Sequence, residues 1–251
     1  MTRLALVRHG ETIWHAENRY AGSTDIPLSP RGLEQAEQLA NWASSANLAA
    51  IWVSPLLRAR KTVAPSEHVS GITACVDARL REIHFGQGEG LTNAEIRQSF
   101  PESFAAFQSD PVSHHLPGGE DPRDVALRAI ECFKEIETIH PRGRVLVVTH
   151  NTLIRVALCQ LLGVPLSRYR TAFPTVANGA LSEIRVQDGQ FSLLTFNFRW
   201  NLLQPGARRL PNQTLPSRTG RKSNGKNAVE YAAGARFRFP GKSNERALRG
   251  F

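Results

Sequence analysis

Arg8 and His9 follow directly on the apolar run Leu4-Ala5-Leu6-Val7, and Gly10 follows them. A cation and a nitrogen nucleophile stand together there, beside a glycine that lets a phosphate-sized group approach the backbone. Such a set suits phosphoryl transfer, in which positioning and charge stabilisation supply most of the catalysis. Three further stretches add to it. Ser54 to Thr62 places Arg58, Arg60 and Lys61 just after Ala50-Ile51-Trp52-Val53. On a helix Arg58 or Lys61 can face inward while Arg60 points elsewhere. Leu80 to Gly90 sets Glu82 between apolar residues ahead of three glycines, the pattern of a carboxylate at a tight loop. Val145-Leu146-Val147-Val148 ends in Thr149-His150-Asn151, a second histidine closing a second apolar run.

These residues need a frame that brings run ends together. Unbroken apolar runs read as buried strands of a parallel sheet, and open α/β sheets place ligands at the carboxyl ends of such strands. The chain predicts strands over 4–7, 50–53 and 145–148, a short third strand over 72–76, and a hairpin of 180–187 with 190–196 around Asp188-Gly189. Ser29 as N-cap and Pro30 at the first helical position open one helix. Residues 57–67, 122–139 and 152–162 read as further helices, and 92–116 as short helices around Phe100, Phe104 and Phe107. Strand and helix alternate, which predicts a mainly parallel central sheet with helices on both faces.

The formal charge of +9 is not spread over the chain. Residues 1–201 hold 20 Lys+Arg against 20 Asp+Glu, whereas residues 202–251 hold 11 against 2. The body is neutral, so the composition gives the catalytic part no nucleic-acid signature. The last fifty residues lose hydrophobic periodicity and are expected to form a disordered basic tail, separate from a catalytic domain over 1–201. That tail is expected to do no more than make weak, non-specific contact with anions or nucleic acid. Cys75, Cys132 and Cys159 have no disulfide or metal spacing and are expected to be small buried apolar groups in a reducing compartment. No signal-like leader and no run long enough to span a bilayer is present, which predicts a cytoplasmic location.

The motifs occur in a familiar order: RHGET at 8–12, Asn18 to Gly22, LSPRG at 28–32, SPLLRARKT at 54–62, LREIHFG at 80–86, PGGED at 117–121 and VVTH at 147–150. In these the chain resembles the histidine phosphatase superfamily, also called the phosphoglycerate mutase-like family, over about residues 3–197. The resemblance implies a three-layer α/β/α fold and a small phosphorylated substrate, with no metal and no other cofactor. It makes His9 the nucleophile of a phosphohistidine intermediate, surrounded by Arg8, Arg58 and His150, with Glu82 protonating the leaving oxygen. It also brings His15, Gly22 and Asn151 to the substrate.

The chain departs from that family at three places. His15 stands where an asparagine is common, and is expected to add positive charge at mildly acidic pH. Gly88 replaces an aromatic residue, which predicts a more open pocket wall. Asn151-Thr152 replaces Gly-Gly, with the Asn151 N–H still available at a helix N-terminus. The compact stretch 86–118 resembles the phosphatase branch. The rival readings are a mutase using the same residues and a catalytically weak phospho-ligand binding protein. Segments 13–25 and 84–118 and the turn at 175–179 are expected to form the substrate wall, with Arg19, His84, His114, His115 and Arg123 as candidate outer donors. Neither substrate identity nor oligomeric state can be read from the sequence.

Overall fold

The computed structural model describes residues 1–200 apart from Asp188, so the basic tail and half of the expected hairpin turn lie outside the described residues. Six strands form one sheet in the order β3-β2-β4-β1-β5-β6. They are β1 (Thr2–Arg8), β2 (Leu48–Val53), β3 (Cys75–Val76), β4 (Gly143–Thr149), β5 (Leu181–Gln187) and β6 (Gln190–Phe198). The first four run parallel, and β5 and β6 are added antiparallel beyond β1.

The two-residue alternation of the strands divides the core. Leu4, Leu6, Trp52, Val145 and Val147 face the helices α5 (Pro122–Ile139) and α6 (Asn151–Leu162). Ala5, Val7, Ile51, Val53, Leu146 and Val148 face the helices α1 (Pro30–Ala43) and α2 (Leu57–Ser70). Runs that are apolar at every position are therefore runs buried on both faces, as parallel α/β sheets require. The arrangement is the expected α/β/α sandwich. Among the described residues, no helix is long and apolar enough to cross a membrane.

Two sequence expectations need correction. The third strand is not 72–76 but Cys75–Val76, paired with Trp52 and Val53 at the sheet edge. Just before it, the Ala74 N–H is taken by Glu67 of α2, so it is not available to the ladder. Cys75 is also exposed there, whereas Cys132 and Cys159 are buried as expected. The segment 92–116 does form short helices, α3 (Asn93–Ser99) and α4 (Pro101–Ser109), with α7 (Tyr169–Ala172) following α6. Ile96, Phe104, Phe107 and Leu116 make a separate small core there.

Register decides what meets at the carboxyl edge. Arg8 pairs with Thr149 and Val53 with Val148, so the residues after β1, β4 and β2 emerge side by side. The His9 N–H donates to Thr149 O at 2.9 Å, and the Ser54 N–H to Val148 O at 3.0 Å. The loop after β1 then lies on the first turn of α1, whose N-cap Ser29 accepts from the Gly32 N–H. A Cβ on Gly32 would run into the backbone carbonyl of Glu11. Gly32→Ala is therefore expected to destabilise the protein by about 1–3 kcal/mol through overpacking, read as a lower urea midpoint. A wild-type midpoint in that variant would show that the loop yields freely.

Candidate functional site

His9 is 4% exposed and its ring is held in one tautomer. Nδ1 lies 2.7 Å from the Gly10 carbonyl, an acceptor, so Nδ1 carries the proton. Nε2 is left with a free lone pair. Burial pushes the His9 pKa well below 6.5, and the charges of Arg58 and Arg8 and the ring of His150 push the same way. The ring is thus a neutral nitrogen base near neutral pH, the state a nucleophile requires.

Around it stand three side chains, each with a buried nitrogen that lacks a partner. Arg58 is wholly buried, as the inward choice among the basic residues of α2, while Arg60 and Lys61 are exposed. Its Nη1 donates to Thr24 O at 2.9 Å and its Nη2 to Gly22 O at 2.7 Å. Arg8 donates through Nη1 to Val176 O at 2.6 Å and through Nη2 to His15 Nε2 at 2.7 Å. His150, also wholly buried, lies with its ring centroid 5.1 Å from that of His9. Its Nε2 is 2.7 Å from Ser54 Oγ, which also faces the Leu56 N–H at 3.3 Å. Ser54 accepts from Leu56 and fixes the orientation of the His150 ring through Nε2, which leaves Nδ1 without a partner. Arg8 Nε, Arg58 Nε and His150 Nδ1 are each buried and have no hydrogen-bond partner. Buried polar atoms without partners are costly, by about 1–3 kcal/mol each, and two guanidinium charges beside one nucleophile make a strong binding potential for an anion. Desolvation lowers both arginines, Arg8 to about 10, while the field of Glu82 opposes the fall.

Glu82 sits on the N-terminus of α6. Its Oε1 accepts from the Ile83 and Leu153 N–H groups at 3.0 and 3.1 Å, and its Oε2 from the Thr152 N–H at 3.0 Å. Oε1 therefore has both lone pairs engaged and Oε2 has one free. Glu82 lines the same cavity as Arg8, His9, His15 and Asn151, a hollow of about 300 Å³. The Asn151 N–H is the first of α6, ahead of the two that Glu82 takes.

Several expectations change. His15 does not supply a charge: burial and Arg8 push its pKa down to about 4, and its Nε2 is occupied in holding Arg8. Gly22 is not on the cavity wall. Its carbonyl holds Arg58, and a Cβ there would strike the Glu89 carboxylate. Gly88 opens nothing, because Leu116 fills the space that a side chain would take. The turn at 175–179 supports the nucleophile from behind, through Asn178 Nδ2 to His9 O at 3.2 Å and the Gly179 N–H to Arg8 O at 3.0 Å. Of the outer donors, Arg19 lines the cavity, whereas His84, His114, His115 and Arg123 do not.

Three supporting residues carry no distinctive sequence signal. Ser54 orients His150. Glu89 accepts from the Ser23 and Thr24 N–H groups and the Thr24 hydroxyl, fixing the loop whose carbonyls hold Arg58. Burial raises the Glu89 pKa, but these hydrogen bonds outweigh it and hold it below the ordinary value. Arg128 on α5 donates to Arg79 O at 2.6 Å, Arg81 O at 2.7 Å and Glu82 O at 3.2 Å, clamping the loop that carries Glu82.

A parallel sheet with paired histidines at adjacent strand ends and arginines around them defines a class, and the comparisons agree. The chain belongs to the histidine phosphatase superfamily (branch 1), which it matches over residues 4–199. It is similar to phosphoserine phosphatase 1 of Hydrogenobacter thermophilus, 31% identical over 202 residues that make up 80% of this chain and 95% of that protein. It is also 31% identical over 166 residues to the 2,3-bisphosphoglycerate-dependent phosphoglycerate mutase 2 of Gloeobacter violaceus, covering 64% of this chain and 76% of the mutase. Among solved structures, Bacillus stearothermophilus YhfR superposes with a TM-score of 0.76 at 34% identity, over 80% of this chain and 98% of that one.

The buried histidines make stability depend on pH. His9, His15 and His150 have folded pKa values below the unfolded value of 6.5. Below pH 6.5 the unfolded chain binds more protons than the folded one, so stability is full above that pH and falls as the medium becomes more acidic. The melting temperature is expected to be level from pH 8 to 7 and to drop steadily from pH 6.5 towards 4. In His15→Asn the drop is expected to be shallower, and an unchanged slope would place the His15 titration elsewhere.

Proposed function

We propose that this protein is a phosphatase that hydrolyses a small phosphomonoester through a phosphohistidine on His9, without a metal ion. The observation that carries this reading is the free Nε2 of a neutral His9 beside two buried guanidinium groups and a second imidazole, on Arg8, Arg58 and His150, each with an unpaired nitrogen. The two cations match an anion with several oxygens, and the nitrogen lone pair matches attack on its centre.

The steps balance as follows. His9 Nε2 attacks phosphorus and the bond to the ester oxygen breaks, its electron pair leaving with that oxygen. Glu82 takes up a proton on the free lone pair of Oε2 as the anionic substrate binds, and passes it to the leaving alcohol. Arg8, Arg58 and His150 hold the equatorial oxygens as charge spreads over them, and the planar guanidinium forks suit that geometry. Water then attacks the phosphorus and gives a proton to Glu82. The P–N bond breaks with its pair returning to Nε2, releasing phosphate and restoring the start. The two guanidinium charges do the neutralising that a divalent ion would otherwise do. His15 positions Arg8, and the Asn151 N–H adds one further donor.

Relatives named as phosphatases and as mutases both align with this chain, so the acceptor of the phosphoryl group is the point to test. Phosphate release from a panel of phosphomonoesters, with and without a chelator, is the experiment. Release unaffected by the chelator, and lowered at least about a thousandfold by His9→Ala, is expected. Arg58→Met is expected to lower kcat/KM by about 10²–10³. A radiolabelled, acid-labile phosphoprotein should form on wild type and not on His9→Ala. Isomerisation of 3-phosphoglycerate in the presence of 2,3-bisphosphoglycerate, with no net release, would assign the protein to the mutases. Silence in both assays, from a folded protein, would make it a binding protein.

A further inference from the structure

The cavity has two unlike halves. The inner half is the cation and imidazole cluster around His9. The outer half is built by the loop over residues 18–21 together with Phe85 and Asn93. Tyr20 and Phe85 meet edge to face, with ring centroids 4.9 Å apart, and Tyr20 also meets Phe107 at 6.2 Å. Both pack against the small core of α3 and α4, so they form a braced aromatic wall and not a pair of loose surface rings. Beside them stand the amides of Asn18 and Asn93, which can both donate and accept hydrogen bonds.

Among the described residues, the cation on this outer wall is Arg19, and it is already engaged. Its Nε donates to Glu17 at 2.6 Å, and its Nη1 to Glu95 at 2.9 Å and to the Gly90 carbonyl at 2.7 Å. The two carboxylates offset the charge of Arg19. Glu95 is also fixed by the N-terminus of α3, where it accepts from the Thr92 N–H at 2.7 Å. Glu17 and Glu95 are not on the cavity wall themselves; they stand behind Arg19 and occupy the outer-wall cation that a carboxylate or a second phosphate on the leaving group would need. A wall whose cation is already paired disfavours an added anion relative to a neutral group. An uncharged ring would instead rest on the Tyr20–Phe85 wall and bond its hydroxyl or amide groups to Asn18 and Asn93.

We infer that the outer wall selects phosphomonoesters whose leaving group is uncharged and has a flat or apolar face, and that it rejects leaving groups bearing further anionic charge. The inference rests on the phosphatase reading above. It also separates this chain from chemistry that runs through a bisphosphorylated carboxylate.

The test compares 4-carbamoylbenzyl phosphate with 4-carboxybenzyl phosphate on the full-length protein. The two are alike in shape and release similar benzylic alcohols, so charge on the leaving group is the main difference. The neutral ester is expected to have a kcat/KM at least about tenfold higher, the scale that a single pocket contact commands. In the double variant Glu17→Gln, Glu95→Gln, which keeps the helix cap because glutamine also serves there, the gap is expected to narrow to under about threefold through a gain on the carboxylate ester. Tyr20→Leu, checked for folding by circular dichroism, is expected to lower kcat/KM on the carbamoyl ester about tenfold with little change in kcat. Equal rates on the two esters, or a preference for the carboxylate ester, for phosphoserine or for 3-phosphoglycerate, would overturn the inference while leaving the phosphatase intact. The absence of His9-dependent release from every ester would overturn the phosphatase reading itself, and this inference with it.

Discussion

Two guanidinium ions and two imidazoles share a volume that water hardly reaches, and the rest of the molecule is arranged to make this tolerable. Burying a cation is costly unless it is hydrogen-bonded and compensated. Arg58 and Arg8 are held on backbone carbonyls at Thr24, Gly22 and Val176, and the carboxylate of Glu82 lies within their field. Burial, and after it the same crowding of positive charge, keeps His9 and His150 unprotonated. The feature that strains the site is thus the feature that supplies a nitrogen lone pair at neutral pH.

The sheet and the loops divide the work. Register between β1, β4 and β2 brings Arg8-His9, Thr149-His150 and Ser54 to one edge, with main-chain bonds that leave little freedom. The loops then orient what the strands present. Glu89 holds residues 23 and 24, whose neighbourhood holds Arg58, and Arg128 holds the backbone of residues 79–82. Each of these is a charged group spent on main-chain atoms and not on substrate. Their positions in sequence are remote from the groups they support, and the cavity itself is lined by residues from 8–21, 82–85, 93 and 151–152.

The inner constellation was legible because its members follow apolar runs, and a buried parallel strand leaves that mark in any sequence. Arg8, His9, Arg58, Glu82 and His150 do come together around one centre. The resemblance in RHGET, LSPRG and VVTH pointed to the same set. The failures fall where a residue's role depends on a neighbour that sequence does not reveal. The ordinary pKa of His15 predicts a charge, yet burial, with Arg8 beside it, holds it neutral. Gly88 was read as a gap, yet Leu116 from another loop fills it. Ser54, Glu89 and Arg128 were passed over because a serine, a glutamate and an arginine are ordinary residues until their partners are known.

The sequence by itself determined the strand and helix order, the core faces through apolar periodicity, the neutral body, and the residue types able to transfer a phosphoryl group. These are local properties, set by composition and spacing over a few residues. Only the tertiary structure decided which basic residue of α2 faces inward, which tautomer His9 holds, and that Glu82 leaves one lone pair free. It also decided that Arg19 reaches the cavity already paired with Glu17 and Glu95. Hydrogen-bond partners and electric fields act across space, between residues 96 positions apart for Ser54 and His150 and 169 apart for Asn178 and His9, and no local pattern encodes them.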